Sequence, residues 1–147
     1  MKKYSQLLLG FAVILVGLLG ISSQAHAVTH YVQSSTPTIF VHGWGSSSHA
    51  EEKMANAARD AGVTKTIVRA NVDRKGKVTF NHQIPANAVN PIVEVNLEDN
   101  KLSAYQDDYT QGYHHGGGYV KNVVLALEKQ HHYKQINLVG HSMGNLE

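Results

Sequence analysis

Ser142 sits in Gly140-His141-Ser142-Met143-Gly144, a serine with a glycine two residues to either side. The spacing suits a nucleophile. A serine that attacks a carbonyl must stand clear of its own backbone, on a sharp turn between a strand and a helix. Gly140 and Gly144 fall where a side chain would collide as strand and helix crowd together. The helix expected after Ser142 would point amides, Met143 N–H first, at an oxyanion forming beside the serine. Ile136, Leu138 and Val139 supply the apolar strand that such a turn requires.

A second stretch completes half of an acyl-transfer site. Pro37-Thr38-Ile39-Phe40-Val41 reads as a buried strand and runs straight into His42-Gly43-Trp44-Gly45. A glycine-rich loop after a strand lets the backbone approach substrate closely. Trp44 N–H is therefore expected as the second oxyanion donor beside Met143 N–H, with His42, Gly43 and His141 as motif support. A serine of this kind takes its acid and its histidine from later in the chain, and only Asn145, Leu146 and Glu147 follow Gly144. Upstream candidates, His49, His82, His114 or His115 with Asp107 or Asp108, would approach Ser142 from the wrong side.

Other histidines invite different readings. His114-His115-Gly116-Gly117-Gly118 carries the letters of a lipase oxyanion motif, but no apolar strand precedes it. Only 21 residues separate Gly118 from Gly140, room for one helix and one strand. Asp107 to Gly118 is expected as a loop feeding a helix. Adjacent histidines such as His131-His132 do not converge on one ion, and no metal or cofactor is expected. Asp73 and Asp99 read as solvated turn carboxylates.

The elements that would position these groups follow from periodicity. Ser48-x-x-Glu51 looks like a capping box. Met54, Ala57, Ala58 and Ala61 then recur on one helical face, with Gly62 at the C-terminal cap position. Strands are expected at Thr66–Val72, Val78–Phe80 and Pro91–Leu97, with an edge strand near His30–Val32. A second helix is expected over Tyr119–Gln130, its stripe being Val120, Val123, Val124 and Leu127.

Composition bounds what remains. The chain has 147 residues and no cysteine, which removes thiol nucleophiles and disulfides. Lys2 and Lys3, the apolar run Leu7–Ile21 and Ala25-His26-Ala27 form an export signal, with cleavage expected before Val28. Residues 1–27 are thus a leader and 28–147 the working domain. Without Lys2 and Lys3, basic and acidic side chains balance at 11 each, which argues against a nucleic-acid partner, since that would need a basic face.

The mature chain resembles the N-terminal half of an alpha/beta-hydrolase. Residues 37–45, the strand 91–97 with its polar exit to Asn100, and residues 137–145 carry the likeness. More narrowly, it looks like the cell-surface hydrolases of low-GC Gram-positive bacteria, a family of unknown function. The resemblance implies an α/β fold with a mostly parallel, eight-stranded sheet and flanking helices, truncated just after the nucleophile elbow. It implies serine hydrolysis of an ester or acyl substrate in a secreted or cell-surface protein, with association with the cell envelope, and it makes Ser142 the nucleophile. The competing reading is an exported binding protein or inactive remnant lacking the triad acid and histidine. Ending at Glu147 would leave the 135–139 strand as an uncovered apolar edge.

Overall fold

The computed structural model describes residues 31–100, 105 and 108–147; the expected leader lies outside them. Five strands form one sheet in these residues: β1 (Thr38–Val41), β2 (Ile67–Val72), β3 (Val78–Phe80), β4 (Ile92–Leu97) and β5 (Asn137–Gly140). Their order is β3-β2-β4-β1-β5, parallel except for the β2–β3 hairpin. The β-branched and aromatic residues of these strands suit a sheet buried on both sides. Helices α1 (Glu52–Asp60) and α2 (Tyr109–His131) cover opposite faces. The expected strands are all present, while Tyr31 and Val32 are irregular rather than an edge strand.

The two faces differ. Toward α2, Ile39, Val41, Val68, Val93 and Val95 meet Val120, Val123 and Leu127 in one continuous apolar core. Full burial of a side chain such as Leu127 contributes about 1.5–3 kcal/mol. Toward α1 the apolar cluster is small, built on Phe40, Ala55 and Ile92. The same face carries two polar pairs in cross-strand register, Arg69 with Glu94 and Asn71 with Asn96. The guanidinium lies 3.8 Å from the Glu94 carboxylate, and Asn96 Nδ2 donates to Asn71 Oδ1 at 3.1 Å.

Both helices depart from expectation. Ser47, not Ser48, caps a short 3₁₀ turn at Ser48–Ala50. Glu51 precedes α1 without a side-chain cap, its carboxylate turned into the protein. Ala55 faces the sheet, whereas Met54 is half exposed. Small residues occupy several faces of this helix, so their spacing does not orient it. Gly62 does terminate α1 with a positive φ of 77°.

Helix α2 begins ten residues before the expected start, and the stretch 109–118 is helical rather than a loop. Asp108 explains the new start: its Oδ1 accepts Thr110 N–H at 3.0 Å and Gln111 N–H at 3.2 Å. Placing His115 to Gly118 within a regular helix also removes them as an oxyanion loop. At the far end β5 pairs with β1 alone among the described strands, and Leu138 is 49% exposed.

Candidate active site

Strands β1 and β5 run parallel and adjacent, so the connections leaving them emerge side by side. His141 N–H continues the ladder one step past β5, donating to Val41 O at 3.0 Å. The chain then reverses at Ser142, whose φ of 53° lies in the left-handed region that non-glycine residues rarely occupy. Ser142–Asn145 form a single 3₁₀ turn where a longer helix was expected. The turn fits only because its flanks are glycine. A Cβ on Gly144 would lie 2.4 Å from Val41 O, and one on Gly140 would lie 2.4 Å from Gly144 O.

The loop after β1 reaches the same place. A Cβ on Gly43 would stand 3.0 Å from Ser142 Cβ and 3.2 Å from His141 O. The backbone at 43–44 therefore passes directly beside the serine. Among the described residues, neither Trp44 N–H nor Met143 N–H donates to a backbone acceptor outside its own element or to a side chain. The neighbouring amides of Gly45, Ser46, Gly144 and Leu146 are all engaged. Ser142 is exposed and Met143 buried.

His42 is fully buried and structural in its bonding. Leu97 N–H donates to its Nε2 at 3.1 Å, which leaves Nδ1 to carry the proton and donate to Gly43 O at 2.9 Å. Burial holds its pKa below the ordinary imidazole value, against the opposing hydrogen bond to Gly43. The ring is a neutral strut between β4 and the loop. His141 is different: it is mostly exposed, and its Nδ1 lies 3.8 Å from the buried Glu51 carboxylate. Burial raises the Glu51 pKa, and the nearby His141 only partly counters this.

Two residues here escaped the sequence reading. Asn100 donates to Gly43 O at 3.1 Å through Nδ2 and accepts Gly45 N–H at 2.8 Å through its carbonyl. Glu51 was read as a capping residue and instead sits beneath His141. Neither has a spacing signal, because both act across strands far apart in sequence. Trp44 also finds unexpected partners. Its ring lies between Tyr105 and Tyr109, with centroids 6.0 Å from each. The ring packs against α2 at Gly112, where a Cβ would come within 2.3 Å of the indole.

Among the described residues, no hydrogen bond joins Ser142 to His49, His82, His114, His115 or Asp108. His49 Nδ1 pairs with Glu52 at 2.8 Å, and Asp108 caps α2. Asp107 lies outside the described residues. Among the described residues, Ser142 Oγ makes no hydrogen bond. The group that would take the serine proton is therefore not assigned within this constellation.

A mostly parallel sheet carrying a strained serine turn beside a glycine loop is the architecture of alpha/beta hydrolases. The chain belongs to that class: residues 25–147 match the family described as alpha/beta hydrolase of unknown function (DUF915). Among solved structures, it is similar to the product of gene lin2722 from Listeria innocua, at 25% identity and a TM-score of 0.61. That match covers 77% of this chain and 42% of the other. It is also similar in fold to a "putative cell surface hydrolase" from Lactobacillus plantarum WCFS1, at 20% identity and a TM-score of 0.62. There the coverage is 74% of this chain and 42% of the other, so the chain spans less than half the length of both. No curated protein matches the chain.

Proposed function

We propose that this is an exported serine hydrolase acting on carboxylic esters or related small acyl substrates. The observation that carries the reading is the positive φ of Ser142 on a turn whose neighbour, Gly43, brings the Trp44 amide alongside. Ser142 Oγ attacks the carbonyl carbon, and the π electron pair moves onto oxygen. Trp44 N–H and Met143 N–H receive that oxyanion. Each such donor is worth about 3 kcal/mol of transition-state stabilisation in comparable sites. The Oγ proton passes to a base and then to the departing alkoxide as the ester C–O bond breaks. Water repeats the sequence on the acyl-serine and releases the acid.

His42, Gly43, Gly140, His141 and Gly144 serve this chemistry as scaffold. Export is supported by the leader pattern in residues 1–27, with 28–147 as part of the hydrolase domain. The similar fold of the Lactobacillus plantarum "putative cell surface hydrolase" supports a cell-envelope location.

The absence of an acid–histidine partner for Ser142 among the described residues favours a second reading, in which this chain binds or is silent. One experiment separates the two. A fluorophosphonate should form a covalent adduct on the peptide containing Ser142, and Ser142→Ala should abolish it. Labelling that persists unchanged in the variant removes Ser142 as the nucleophile.

A further inference from the structure

Three donors converge on a single carbonyl in the loop after β1. Gly43 O accepts His42 Nδ1–H at 2.9 Å, Asn100 Nδ2–H at 3.1 Å and Ser46 N–H at 3.3 Å. Asn100 also grips the segment a second way, since its own carbonyl accepts Gly45 N–H at 2.8 Å. The side chain thus holds the peptide before Trp44, and the main chain holds the peptide after it. In a trans peptide the N–H points away from the C=O. Fixing Gly43 C=O therefore fixes the direction of Trp44 N–H.

A simple plug for this space would be apolar. Asn100 is instead 4% exposed, and its Oδ1 has no partner among the described residues. Leaving such an atom buried costs about 1–3 kcal/mol, which filling a gap does not require. The 3.2 Å approach of Asn100 Nδ2 to His42 Nδ1 is a packing contact between two donors, both aimed at the same oxygen. We propose that Asn100, at the exit of β4, is a positioning residue that locks the Trp44 N–H beside Ser142 for the developing oxyanion. This role rests on the hydrolase reading above.

Trp44 is the sole tryptophan, so its fluorescence reads the loop directly at micromolar concentration. Time-resolved anisotropy of the wild-type chain should show a rigid indole. Asn100→Ala and the isosteric Asn100→Asp should each add a fast depolarising component, with far-UV circular dichroism unchanged. Asn81→Ala, a polar truncation whose side chain accepts Arg69 N–H rather than bonding the loop after β1, should not. Phenylboronic acid, which becomes a tetrahedral anion on a serine oxygen, should bind the wild type and not Ser142→Ala. Its affinity should fall about tenfold or more in both Asn100 variants. Wild-type anisotropy and affinity in both variants, alongside a wild type that binds boronate, would overturn the role of Asn100 alone. Should the wild type bind boronate no better than Ser142→Ala, the hydrolase reading fails and the oxyanion role falls with it. In that event the anisotropy still decides whether Asn100 holds the loop.

Discussion

Two connections leave the same end of the sheet side by side, the loop after β1 and the turn after β5. Each carries a histidine next to a glycine, and the two histidines fare oppositely. His42 is fully buried and bonded at both ring nitrogens, whereas the His141 side chain is 69% exposed with one loose carboxylate contact. The β1 loop is fixed by directional hydrogen bonds from β4 and Asn100. The β5 turn is fixed by steric contact, with glycines pressed against backbone oxygens and one serine at positive φ. An amide that must aim at an oxyanion needs the first kind of support. A nucleophile that must project needs only a turn that cannot relax, which the second supplies.

If contact really holds the β5 turn, Gly144→Ala should be severely destabilising. The new Cβ would fall 2.4 Å from Val41 O and 3.0 Å from His42 O, both backbone atoms that cannot step aside. Opening β1 from the turn is the available response, and we expect a loss of about 3 kcal/mol or more. Gly45→Ala in the β1 loop makes the comparison sharp. Its φ is 66° but nothing lies within 4 Å of the added carbon, so only about 1 kcal/mol of backbone strain is expected. Urea unfolding of the two variants measures both numbers, and equal losses would erase the distinction.

Bond support in the β1 loop should show itself through His42. Removing the ring in His42→Ala strands the buried Leu97 N–H and should cost about 2–3 kcal/mol. The pH dependence is more diagnostic. In the folded state His42 titrates below its unfolded value of 6.5. Between those two values the unfolded chain binds more protons, so stability falls as pH is lowered from about 6.5 toward the folded value. Glu51 and Glu94 act in the other sense, since burial raises both from 4.5 and their contribution is lost as pH rises through the folded values. Subtracting the His42→Ala stability curve from that of the wild type isolates the histidine. A difference that stays flat across acid pH would mean the buried ring is not a neutral strut.

The same contrast governs what could be read in the sequence. The β5 turn announces itself, because steric necessity is written locally as Gly-x-Ser-x-Gly after an apolar strand. The five strands were equally legible, as was the Val120–Leu127 stripe of α2. The β1 loop announced only its glycines. Its bonds come from Leu97 and Asn100, 55 and 57 residues away, a distance that no local pattern records. The start of α2 was hidden for a related reason. Gly112, Gly116, Gly117 and Gly118 each cost a helix about 1 kcal/mol relative to alanine, so propensity ends the helix near Tyr119. Tertiary structure overrides this: Asp108 caps the helix, and Gly112 gives the Trp44 ring a seat that no side chain could offer. In α1 and at its C-terminal cap, the alanines at 55, 57, 58 and 61 spread around the helix. Only the burial of Glu51 and Ala55 settles which side faces the sheet.

The smallest expected effect tests the strain at the serine itself. Ser142→Ala and Ser142→Gly both delete the hydroxyl, so they are equal in chemistry and differ in backbone freedom. At φ of 53° an alanine retains the left-handed penalty of about 1–2 kcal/mol, which glycine escapes. Glycine in turn loses about 0.5–1 kcal/mol more backbone entropy on folding. The first quantity exceeds the second, so Ser142→Gly should be the more stable variant by about 0.5–1 kcal/mol in denaturant unfolding. Equal stability, or an advantage for alanine, would mean that the turn holds no strain at residue 142. The projection of Ser142 would then have to come from the glycine contacts alone, and the contrast between the two connections would narrow to hydrogen bonds against packing.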